Sequence, residues 1–379
     1  MAPVSPSPPA LDPDLQQRYA HLLEEARALR GVSLGQDAWR RLRRNRVAVA
    51  SLGFLALLVL LAVFTPLLPL QSPRDVRAEL KFAPPDWSPL GGDFLLLEGD
   101  EAAGGKTQAQ LDADSFGPLG WFDRGLLQLR RALFGRWCFN SLCGRDNLGR
   151  DVLARIFWGA RVSLSVALVA TLVSLAIGVS YGSISGYLGG RVDNVMMRIV
   201  DVLYSIPFIF VVIFLITILS TEAIKRELES LGINRITIFF FVVGAIYWLT
   251  MARVVRGQVL SLKNEQFVEA ARTIGASRRR IIFRHIVPNV TSVVIVYLTL
   301  TIPRVMLFEA FLSFLGLGVE PPDVSWGLLA NQGLEVITPI RVYWWLVVFP
   351  CAALGVTLFA LNFLGDGLRD ALDPKLKHR

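Results

Sequence analysis

Titratable and nucleophilic side chains are sparse in this sequence, and their spacing excludes more chemistry than it offers. The histidines are His21, His285 and His378; none lies in an apolar run and no His-Glu-x-x-His occurs, so the commonest helical zinc arrangement is missing. Asp366 and Asp370 stand one helical turn apart, a geometry open to a general acid and base. They sit among charged residues near the end of the chain, however, and read as a solvated helix end. Cys138 and Cys143 are separated by Phe-Asn-Ser-Leu, a spacing compatible with a small disulfide loop and equally with two free thiols. Cys351 falls in an apolar run, where a thiol is a small packing group. Arg304 and Glu309 are the serious candidates for an ion or proton relay, because both are ionisable and both lie inside a long apolar stretch. Five residues apart, they do not share a helix face, and a polar bundle interior or a pore lining is the simpler reading. No catalytic residue and no metal site emerge.

The most informative stretch is 253–289, with eight basic residues against Glu265 and Glu269. Residues 262–274 are good helix formers ending at Gly275, which can adopt the left-handed conformation that closes a helix. Ser277 is placed to cap a second helix running toward Pro288. The expected result is a helix, a turn and a helix, with Ala270 and Ala271 as a small-residue patch that lets a partner's groove approach closely. Arg278 to Arg280 could touch phosphates, but three arginines beside an apolar run are explained by membrane orientation and anionic lipid, so nucleic acid is not an expected partner.

The elements that position these residues are membrane spans. With 53% hydrophobic residues, 18% charged residues and a mean hydropathy of +0.49, the chain is too apolar for a soluble domain of its length. Apolar runs at 47–68, 162–184, 200–219, 236–252, 290–315 and 342–364 each approach the length a bilayer core requires. Six spans put both termini on one side. Pro207 is expected to kink the third, and the fifth carries Pro303 with Arg304 and Glu309. Five arginines precede the first span within 39–46, and 253–289 is basic, whereas 221–235 balances three basic with three acidic residues and 316–341 holds Arg341 against Glu320, Asp323 and Glu335. The excess of Lys and Arg in cytoplasmic loops therefore places both termini and the basic loop in the cytoplasm. No signal peptide is visible in 1–46, which is polar and rich in proline at its start.

Residues 69–160, with eleven basic and twelve acidic side chains, then form an external, periplasmic subdomain. Its first half reads as loop or short strands; 124–137 has helical apolar spacing at Leu126, Leu129 and Leu133. The simpler expectation for that apolar face is packing on the rest of the subdomain, the other being a helix lying along the membrane surface.

Glu269-Ala270-Ala271, three residues, Gly275, then Pro288 thirteen positions later resembles the coupling loop of permeases in binding-protein-dependent ABC importers. Gly144-Arg145-Asp146-Asn147-Leu148-Gly149-Arg150-Asp151, Gly186-Tyr187-Leu188-Gly189-Gly190 and Gly365-Asp366-Gly367-Leu368-Arg369-Asp370 are similar to the C-type permease subunit of the bacterial dipeptide and oligopeptide group. The likeness covers 39–70 and 144–376; the tail before Trp39 and the segment 71–143 are longer than the resemblance leads one to expect.

The resemblance implies an all-α integral membrane protein with six transmembrane helices in the type I ABC importer permease fold. Its divisions would be a cytoplasmic tail 1–46, a first span 47–68, the periplasmic subdomain 69–160, a permease core 161–364 and a cytoplasmic tail 365–379. It implies a non-catalytic pore subunit of the bacterial inner membrane working with a homologous B-type permease, two ATPase subunits and a periplasmic peptide-binding protein. Peptide would be the cargo, and nickel or glutathione the alternatives within the same class. No cofactor would be bound by this chain; ATP and magnesium would sit on the partner subunits. Glu269, Ala270, Ala271 and Gly275 would seat in the ATPase groove, with Arg284, His285 and Pro288 fixing the attachment to the fifth span. An ion-gradient carrier built on Arg304 and Glu309 is the alternative from a different class.

Overall fold

A computed structural model describes residues 34–88, 91–100, 103–219, 221–230 and 235–372. Most of the expected tail, with His21, and the last seven residues, with His378, lie outside the described residues.

The chain opens with α1 (Leu34–Arg44), a short amphipathic helix separated from α2 (Arg46–Val63) by Asn45. The Asn45 carboxamide oxygen accepts from the Ala48 amide at 3.1 Å, satisfying one of the donors that a helix start leaves free. Ala38 and Leu42 of α1 pack on Ala48 and on Ala371 near the far end of the chain, so both described ends meet at one pole of the bundle. α2 stops at a turn over Thr65–Leu67, where Pro66 cannot continue the helix.

Between 64 and 151 the chain folds into a compact cap on the opposite pole. It contains α3 (Gln108–Phe116), α4 (Trp121–Phe134) and two-residue strands β1 (Gly92–Asp93) and β2 (Trp137–Cys138), paired antiparallel. Its core is Leu95, Phe116, Leu127 and Cys138, with the Arg130 guanidinium buried beside them. That guanidinium donates to the Leu70 carbonyl and to Cys138 Sγ, so the burial of its charge is partly compensated. Two expectations are corrected here. The helix sought at 124–137 runs Trp121–Phe134, because Gly135, at φ +59, ends it. The cap ends at Asp151, and 152–160 belongs to the following helix.

α5 (Val152–Leu188) is 37 residues long, far more than the run 162–184 that marked it. Its first turns are polar on one side, but Arg155 and Arg161 are paired and half or fully buried, so the helix extends past the apolar run without exposing uncompensated charge. The third span is a bent pair, α6 (Gly190–Ser205) and α7 (Phe208–Leu219), turned 82° at the break that holds Pro207. Proline removes a backbone donor and disfavours helix in the residue before it, which accounts for a break where a kink was expected. After α8 (Glu222–Ser230) come α9 (Arg235–Leu262), α10 (Gln266–Thr273), α11 (Arg278–Phe314), α12 (Trp326–Glu335) and α13 (Trp345–Leu372). Among the described residues five helices are long and apolar enough to cross a membrane, and the bent pair makes six.

α5 and α9 are pressed together along a seam of glycines spaced four apart. A Cβ on Gly178 would stand 2.6 Å from Met251 Cβ, one on Gly182 2.3 Å from the Ala252 carbonyl oxygen, and one on Gly186 2.9 Å from the Arg256 carbonyl oxygen. In hydrocarbon no hydrophobic force drives helices together, so van der Waals contact of this closeness is what holds the pair.

Candidate functional site

The basic loop forms the site. α9 ends at Leu262, and Lys263, Asn264 and Glu265 make a turn before α10 begins, so the expected single helix over 262–274 is two elements. Gly275 then takes φ +78, and Ala276 N donates to the Ala271 carbonyl at 3.0 Å, closing α10 in the manner left-handed caps do. Ser277 Oγ accepts from Arg280 N at 3.4 Å, capping the start of α11. The first turns of α11 include a π-helical stretch, Ile281–Ile286, which lets Ile281, Ile282 and Ile286 all reach inward. Pro288 follows without breaking the helix, and Asn289 Nδ2 donates to the His285 carbonyl at 2.6 Å.

The two alanines of the triplet part company. Ala271 and Val268 are buried against Val255, Val259 and Ile281, so Ala271 joins α10 to the bundle, not to a partner. Ala270 and Glu269 face outward, and beside them the structure brings Phe267 and Ile274, which the sequence reading passed over. Phe267, Ala270 and Ile274 lie three and four residues apart and so form one exposed apolar stripe, with Ile274 83% exposed. Arg284 is exposed at the start of α11 and His285 half-buried. Arg272 turns back, its guanidinium over the Tyr187 ring at 5.4 Å to the centroid and donating to the Lys263 carbonyl.

Next to this loop lies an ion pair that sequence spacing could not reveal. Arg256 of α9 donates twice to Asp193 of α6, at 2.6 Å each, and Ser185 Oγ of α5 donates to the same carboxylate at 2.5 Å. The paired geometry locks three helices at the pole from which α10 projects.

Arg304 and Glu309 do not meet. Glu309 is fully buried, accepting from Ser313 Oγ at 2.8 Å and Ser163 Oγ at 3.4 Å, while Arg304 is exposed on the surface of α11. Ser163 Oγ in turn accepts from Trp326 N at 3.1 Å, so Glu309 fastens α12 to α5 and α11. A relay between the two candidates is therefore not built.

Residues 178–378 match the family model described as the binding-protein-dependent transport system inner membrane component, and 33–85 match the N-terminal TM domain of oligopeptide transport permease C. This chain belongs to that permease family. Relatives include the oligopeptide transport system permease protein OppC of Escherichia coli strain K12, 40% identical over 95% of this chain and 99% of the relative. The dipeptide transport system permease protein DppC of Bacillus subtilis is 39% identical over 91% of this chain and 87% of its own length. The OppC protein of Haemophilus influenzae is 39% identical over 96% and 95% respectively.

Elsewhere in this permease, Cys138 and Cys143 are separate buried thiols, so the disulfide weighed from their spacing is not formed. Burial pushes the Cys143 thiol up to about 12, and Cys138 upward as well, which keeps both protonated. Cys351 is exposed on the bundle surface, not packed inside it. Asp366 and Asp370 are exposed on the last turns of α13, as a solvated helix end should be. Among the described residues no group of three His, Cys, Asp or Glu side chains could hold a metal ion.

Proposed function

We propose that this chain is one of two pore-forming subunits of an ATP-driven importer that carries peptides delivered by an external binding protein, and that α10 is the element through which ATPase subunits act on it. The observation that carries this reading is the exposed stripe of Phe267, Ala270 and Ile274 beside Glu269, projecting on a helix whose other face is anchored in the bundle. An apolar ridge rooted in spans and open to water suits a protein partner that pushes or pulls. Peptide as cargo is supported by what the relatives named above are called. The loop charge supports a cytoplasmic position for α10 and both termini, with the cap outside, in the inner membrane. A homologous second permease, two ATPase subunits holding ATP and magnesium, and the binding protein complete the assembly.

The test is ATP hydrolysis by the purified assembly in lipid, with and without peptide-loaded binding protein, for wild type, Glu269→Lys and Gly275→Leu. The latter strains a backbone held at positive φ. The expected result is stimulation by the loaded binding protein in wild type, and loss of that stimulation in both variants while the subunits still copurify. Full stimulation in both variants would overturn the role of α10. Solute movement driven by an ion gradient, with no ATPase bound, would overturn the importer reading.

A further inference from the structure

α4 carries three faces. With 3.6 residues per turn, Leu126, Leu127 and Arg130 fall together and are buried in the cap. Arg124, Gln128 and Arg131 fall on one flank; the first two are exposed, and Arg131 pairs with Asp112 of α3. Phe122, Leu129 and Leu133 fall on the other flank and are 41%, 47% and 62% exposed, with Trp121 at the helix start 87% exposed. Packing on the cap, the expected role for this helix, thus accounts for one face and leaves an apolar flank open.

That flank meets the spans at Phe122. α4 packs on the turn that ends α2, and the Phe122 ring meets Phe64 edge-on with 6.2 Å between centroids. Arg161 of α5 donates to both carboxylate oxygens of Asp123 of α4, at 2.8 and 3.0 Å, and lies over Trp158, so the tilt and height of α4 on the bundle are fixed. Beside Phe122 is a groove of about 410 Å³ bounded by aliphatic side chains of four spans, among them Val59, Val63, Leu168, Ile302 and Leu361. Val59, Val63 and Leu168 are themselves exposed, so the groove opens on the outer flank of the bundle.

We propose that α4 is an interfacial anchor: its Phe122, Leu129 and Leu133 flank lies at the boundary of headgroups and acyl chains, and a phospholipid acyl chain fills the groove beneath it. The occupant is lipid because Phe122, at the start of the apolar flank, lines the groove whose other walls include exposed aliphatic side chains of α2 and α5, while the polar flank points the other way. A helix held at the end of a span, apolar toward the bilayer and charged away from it, has the pattern of interfacial binding. The inference needs the spans to cross a membrane and does not depend on the cargo.

The test places a nitroxide on the full chain reconstituted in phosphatidylethanolamine and phosphatidylglycerol vesicles, in a Cys351→Ser background, since Cys138 and Cys143 are buried. Leu129→Cys and Leu133→Cys report the apolar flank, Arg124→Cys and Gln128→Cys the other. The ratio of accessibility to oxygen over a water-soluble nickel chelate is expected to be several-fold higher at 129 and 133 than at 124 and 128. Equal, water-like ratios on both flanks overturn the proposal, and so does shielding of 129 and 133 from both reagents, which would mean a protein covers them. Phe122→Trp gives an independent reading without a label: it should add tryptophan emission that is quenched by lipids brominated on the acyl chain. Added emission that those lipids leave unquenched also overturns the proposal.

Discussion

The glycine seam between α5 and α9 can be tested by one methyl group. In Gly182→Ala the new Cβ would lie 2.3 Å from the Ala252 carbonyl oxygen and 3.0 Å from Arg256 N and Val255 Cβ. A carbon resting on a carbonyl oxygen needs about 3.3 Å, so the two helices must part by about 1 Å or bend locally. The obstructing atoms are two of the backbone and one Cβ, which no rotamer change can move aside. Overpacking of this kind costs about 1–3 kcal/mol, and the upper half of that range applies. Alanine regains up to about 1 kcal/mol of helix propensity, leaving a net loss of about 1–2 kcal/mol. Gly355→Ala in α13 is the control, because a Cβ there meets nothing within 4 Å and only the propensity gain remains. Thermal unfolding in mild detergent, followed by the loss of monodisperse protein, should give an order of Gly355→Ala at or above wild type and Gly182→Ala clearly below it. If Gly182→Ala melts with or above wild type, the seam is not closely packed and the reasoning fails.

Acid should stabilise the cap through Asp151, the residue that caps α5. Burial raises its carboxyl from 3.8 to about 6, against the opposing hydrogen bonds from Ser141 Oγ and Ala154 N and the charge of Arg145. The unfolded chain gives up this proton first, so the folded state loses about 3 kcal/mol as pH rises from about 4 to about 6. Melting temperatures measured across that window should fall with rising pH in wild type and less steeply in Asp151→Asn; a wild-type curve that rises throughout would contradict this. At the other pole, Arg256→Met removes the partner of Asp193 while keeping most of the side-chain length. It should lower stability by about 2–4 kcal/mol, a range reduced from that for a fully buried pair because Arg256 is partly exposed. Asp193→Asn in the Arg256→Met background should recover part of the loss, and a double variant no better than the single would count against the ion pair as the lock.

The spans were legible because their signal is length. An apolar run near 20 residues has few soluble uses, and six such runs led to six crossings. Their ends were less legible, since charged side chains belong to the long helices wherever a partner neutralises them. Arg155, tied to Asp146 at 2.5 Å, is read as loop in a one-dimensional pattern and is helix in space. Asp193, paired with Arg256, hid α6 for the same reason. Within the loop, Gly275 and Ser277 announced their roles because each acts on its own backbone neighbours. Ala271 did not, since alanine is small enough for either an interior or an interface and only the packing of Val268 and Ile281 decides between them. Exposed Phe267 and Ile274 carried a usable signal, two large apolar residues at helical spacing in an otherwise basic stretch.

α5 is one unbroken rod. At about 1.5 Å per residue, its 37 residues reach about 55 Å, well beyond the roughly 30 Å of hydrocarbon that a bilayer presents. One end is clamped by Asp146 and Gln332 through Arg155, and the other by Asp193 through Ser185. No proline and no break interrupt the helix between the two clamps. In the proposed importer, a tilt imposed where α10 meets its partner would swing the far tip of α5 the opposite way and move the cap with it, like the long arm of a seesaw.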